Sequence, residues 1–139
     1  MGANSVNTAA ESAGGRALAA EVLRGLVVAG LFMSAVVHLE LWAHGIADVP
    51  VIGPLFLLNA VAGIALGLVV PIWRHWLPLA AACLFNAATL LAFVLAITVG
   101  LFGSREVASG VPQLLAGAAE VVSLLCALAL LVVGSTLRR

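Results

Sequence analysis

The chain has 139 residues, 64% of them hydrophobic and only 9% charged, with six Arg balanced by six acidic residues and no Lys. So few charged side chains cannot wrap a water-soluble domain of this size, and a formal net charge of zero leaves no basic patch for nucleic acid. The solvent that suits this composition is lipid.

Residues 1–21 are mostly Ala, Ser, Asn, Gly and Thr, which reads as a flexible cytoplasmic tail. No basic stretch and small-residue cleavage site frame a short apolar run there, so the first apolar segment is expected to stay as an anchor. Four segments reach the roughly 20 residues that a membrane helix needs: 23–44, 54–73, 77–101 and 112–137. Residues 22–139 are therefore expected to form one all-α domain, a four-helix transmembrane bundle. Pro54, Pro78 and Pro112 each fall near a first helical turn, where a missing N–H costs little. Between the second and third spans, Trp73-Arg74-His75-Trp76 has the aromatic and cationic character of a tight turn at the headgroups.

With four spans both termini share a side, which gathers Arg16, Arg24, Arg74, Arg138 and Arg139 on one face and leaves Arg105 on the other. The positive-inside rule then predicts an N-in/C-in, multi-pass protein of the bacterial plasma membrane. The bacterial source rests on the abundance of Ala, Val, Leu and Gly and the absence of Lys and Tyr, a high-GC codon pattern. Cys83 and Cys126 lie in separate apolar segments without a Cys-x-x-Cys pair, so they read as small buried side chains.

Helices pack in lipid through small residues and buried hydrogen bonds. On the second span Asn59, Gly63 and Gly67 recur every four residues, and the expected use of this stripe is packing inside the bundle, ahead of a homodimer seam. Asn86 and Thr89 share a face of the third span; Gln113, Gly117, Glu120 and Ser123 share one on the fourth.

Glu40 and Glu120 are the carboxylates inside the spans, and each would cost about 3 kcal/mol near the bilayer centre without a partner. His38 lies about 20 Å from Arg24 along its helix, while Asn59 and Glu120 lie about 8 and 12 Å from the outer ends of theirs. The four residues His38, Glu40, Asn59 and Glu120 thus form a candidate polar cluster in the outer half, either a hydrogen-bonded network fixing helix register or a ligand or proton site. The helical wheel places Glu40 and His44 together, nearly opposite His38, so a chelate within His38-x-Glu40-x-x-x-His44 is excluded. The favoured contact is His38 with Glu120 across helices, and these two would be the ligands if a metal were held.

His38-Leu39-Glu40-Leu41-Trp42, the stretch from Gly53 to Gly63 (GPLFLLNAVAG) and Gly100-Leu101-Phe102-Gly103 resemble a group of small four-helix integral membrane proteins of high-GC bacteria. The resemblance covers residues 24–125, and in general shape it is loosely similar to the DoxX-like proteins. It implies the fold and the choice of polar positions, and no activity.

Short loops, no phosphate loop and no nucleophile–base set lead to a non-enzymatic accessory or assembly subunit of a larger membrane complex, in contact with lipid and with a membrane protein partner or further copies of itself. No cofactor is predicted by this reading. One alternative is a redox component handling a quinone or a metal through His38 and Glu120. Another is a small oligomeric transporter or channel.

Overall fold

The computed structural model describes residues 2–103 and 110–136, and side chains within 11–103 and 110–134. Arg105, Arg138 and Arg139, used above for orientation, lie outside them. The described residues form four helices: α1 Gly2–Ala43, α2 Ile52–Ile72, α3 Trp76–Thr98 and α4 Val111–Thr136. A single 3-10 turn, Ile46–Asp48, stands between α1 and α2. All four helices are long and apolar enough to cross a membrane. Pro54 and Pro78 are the third residues of α2 and α3, and Pro112 is the second of α4, each within the turn that makes no use of its N–H.

At the N-terminus the sequence expectation of an unordered tail meets helix: α1 begins at Gly2 and runs 42 residues without a break. Ala is the strongest helix former, and Ala13, Ala17, Ala19 and Ala20 lead directly into the apolar segment. A helix already nucleated by packing can extend into such a sequence at no further nucleation cost. Residues 11–19 of this extension are exposed.

The helices run up and down, and α1 is the hub, packed along both α2 and α4, while α3 leans on α4. Although α2 and α3 are joined by the shortest connection, they have the slightest contact of any neighbouring pair. The core collects toward the end that carries Arg24 and Arg74, here the arginine end: Val27 and Leu31 of α1, Val70 of α2, Leu79 and Ala82 of α3, and Cys126, Ala127 and Leu130 of α4. Both cysteines are free thiols.

Small residues set the helix spacing, as lipid requires. A Cβ on Gly63 would stand 3.1 Å from the Ala35 Cβ, and one on Gly67 would stand 3.0 Å from the Phe32 ring, so this stripe is spent on α1 within the bundle. The α1–α4 seam is tighter still. A Cβ on Gly30 would come within 2.7 Å of the Ala119 carbonyl oxygen and of the Ser123 Cβ. Outward faces are mostly apolar: Leu58, Leu84, Leu91, Leu125 and Val132 are each about 60% exposed or more, the reverse of a water-soluble bundle.

Candidate functional site

Away from the arginine end the helices part, and between them lies a cavity of about 470 Å³. Its position follows from the connections. Three residues, Trp73 to His75, tie α2 to α3 at the arginine end, whereas nothing so short joins them at the far end. Ala62, Ala88, Ala92, Ala96 and Ala116 line the walls where larger side chains would have closed the space. The polar residues of the lining are His38, Asn59, Thr89, Gln113 and Glu120.

Glu120 is 1% exposed, yet its carboxyl has a built partner: the Ser34 hydroxyl of α1 donates to Oε1 at 2.6 Å. One turn further along α1, His38 Nδ1 lies 2.9 Å from the Ser34 carbonyl oxygen and 3.3 Å from the Ser34 hydroxyl. The carbonyl can only accept and the hydroxyl proton is given to Glu120, so the imidazole carries its proton on Nδ1. In the neutral ring Nε2 is then the one nitrogen left for a ligand, and it is an acceptor. The ring is fixed in place against Phe56, with centroids 4.9 Å apart.

On the facing side Asn59 of α2 donates from Nδ2 to the Thr89 hydroxyl of α3 at 2.9 Å. Thr89 spends its own proton on the Phe85 carbonyl at 3.0 Å, so it can only accept from Asn59, and this fixes which way the amide faces. The amide oxygens of Asn59 and Gln113 are enclosed without a hydrogen-bond partner. A second buried set braces the bundle away from the cavity: Asn86 Nδ2 donates to the Ala82 carbonyl and to the Ser123 hydroxyl, which donates to the Val27 carbonyl of α1.

The structure thus gathers three of the four residues of the expected cluster on one cavity and leaves the fourth apart. His38 and Glu120 are joined through Ser34, in place of the direct contact expected from the sequence, and Asn59 stands on the cavity's other wall. Glu40 is exposed, and the His44 ring contacts its backbone carbonyl, at 2.8 Å, not its carboxylate. Among the described residues no three His, Cys, Asp or Glu side chains come together to hold a metal. Ser34 escaped the sequence reading because a lone Ser in an apolar helix is unremarkable; its signal was the four-residue spacing to His38, which puts both on one face.

In chemical terms the site is an apolar slot with hydrogen-bond acceptors set in its walls, within the roughly 300–1,000 Å³ typical of small-molecule pockets. The polar hydrogens of Ser34, His38 Nδ1 and Thr89 are used inside the protein, and so is one from the Asn59 amide. No family model matches the chain, and neither a curated protein nor a solved structure matches it. The fold and site define a four-helix protein whose helices are long and apolar enough to span a membrane, with a pocket lined by all four of them.

Proposed function

We propose that this chain is an integral protein of the bacterial plasma membrane, with both termini cytoplasmic, that binds a lipophilic molecule bearing a hydroxyl-rich head group in the cavity lined by all four helices. The observation that carries the reading is the polar lining of that cavity, His38 with Nε2 left as an acceptor, Glu120, Asn59 and Gln113, inside otherwise apolar walls, with the two partnerless amide oxygens covered just beneath its surface. A buried acceptor left without a donor costs about 1–3 kcal/mol, and a ligand that brings donors recovers it. A hydroquinone or a long-chain phenol has that chemistry. In this reading the protein is a non-enzymatic accessory subunit that holds the lipophile for a larger complex. Orientation rests on the arginine distribution, and the bacterial membrane on the composition and the resemblance noted above.

Binding is tested in nanodiscs with a matched pair, a prenylated hydroquinone and its dimethyl ether, by calorimetry. The hydroquinone is expected to bind at least about tenfold tighter, the factor worth about 1.4 kcal/mol, and Ala116→Trp, which fills the slot, should abolish its binding. If neither compound binds, or the tryptophan variant binds as well as wild type, the cavity is not a ligand site. Orientation has its own test. A cysteine placed by Arg74→Cys, with both native cysteines replaced, should react with an impermeant maleimide only after the cells are opened; reaction in intact cells reverses the topology.

A further inference from the structure

A second cavity, of about 240 Å³, lies at the arginine end, and its chemistry is the opposite of the first. Arg24, Arg74, His75 and Trp76 supply its polar wall; Leu79, Leu130 and Leu131 supply its apolar one. Arg24 donates from Nη1 to the Val70 carbonyl at 2.9 Å, closing the last turn of α2 with a cation, and its guanidinium lines the cavity. His75 caps α3: Nδ1 accepts the Leu77 N–H at 3.3 Å, so the neutral ring holds its proton on Nε2 as a donor. Arg74 is paired in a two-pronged contact with the Glu21 carboxylate, its second arm 3.0 Å long, and that carboxylate raises the Arg74 pKa above the ordinary arginine value. Both partners of this pair are about half exposed or more, so the contact is open to exchange. Two guanidinium groups therefore face one carboxylate, beside an imidazole donor and an indole.

We propose that this cavity is a phosphate site that takes the head group of an anionic phospholipid, with its acyl chains lying along the exposed apolar faces of α3 and α4. Guanidinium groups match phosphate oxygens in a planar fork, and basic pockets between membrane helices suit such head groups. Leu77, Leu128, Val132 and Val133 are 41–62% exposed at the same end, where chains would run. Glu21 acts as the built-in competitor, since it holds Arg74 in the absence of a phosphate.

The test is native mass spectrometry of the full chain released from phosphatidylcholine nanodiscs doped with phosphatidylglycerol, with and without inorganic phosphate. Phosphatidylglycerol should be retained over phosphatidylcholine, by roughly fivefold for each engaged guanidinium. Arg24→Gln should lose that preference, and so should Leu131→Trp, which fills the cavity without touching the charges or the α2 cap. Glu21→Gln, which frees Arg74, should raise it. Displacement of the lipid by inorganic phosphate would keep the phosphate chemistry and move its source to the soluble phase. Equal retention of the two lipids with no binding of inorganic phosphate, or a preference that survives both Arg24→Gln and Leu131→Trp, overturns the proposal.

Discussion

The two halves of this bundle are made of the same four helices and behave as different materials. Toward the arginine end, Val27, Leu31, Val70, Ala82 and Ala127 are fully buried and the helices close on one another. Toward the other end the same helices enclose about 470 Å³ of space. What divides them is the connection between α2 and α3, three residues long at one end and absent at the other, together with the alanines that line the open half. The buried core is concentrated where α2 and α3 are tied to each other, and the candidate chemistry sits where they are not.

Pairs of matched substitutions can break this contrast. Leu31→Ala removes a side chain with no exposure and should cost about 2–5 kcal/mol in unfolding measured in detergent, whereas Leu41→Ala, on the cavity wall, should cost less than about 1 kcal/mol. Equal losses would mean that the open half is packed in the membrane. A smaller effect separates two glycines. Gly30→Ala places a methyl 2.7 Å from the Ala119 carbonyl oxygen and should cost about 1–3 kcal/mol, while Gly117→Ala, whose Cβ meets nothing within 4 Å, should leave the melting temperature unchanged. Smallest is the pair of polar braces. Asn86→Leu, which cuts the α3–α4 hydrogen bond to Ser123, should cost about 1 kcal/mol; Thr89→Val, which cuts the bridge from Asn59, should cost less but loosen the cavity enough to weaken hydroquinone binding. A stability loss at Thr89 larger than at Asn86 would invert the comparison.

Much of the architecture could be read from residue order. The helix bounds fall within about three residues of those expected at every end except the start of α1, because apolar length and the prolines at Pro54, Pro78 and Pro112 are local signals. The N-terminal half of α1, from Gly2 to the apolar segment, was not legible for a related reason: composition alone does not say whether an Ala-rich segment follows a helix that is already formed. Of the site, His38, Asn59 and Glu120 were legible as polar groups at matching depth. Glu40 carried the same signal and stands apart from them, exposed to the outside of the bundle.

Sequence by itself determined that four apolar rods form, where the last three begin, and which polar groups lie at similar heights, since these depend on hydropathy and on a rise of about 1.5 Å per residue. Only the tertiary structure decided how the helices turn toward one another: that Ser34 stands between His38 and Glu120, that Gly63 and Gly67 serve α1, and that α2 and α3 part to leave a cavity. Rotation about a helix axis and the spacing between axes are set by contacts between distant residues, which no local pattern encodes.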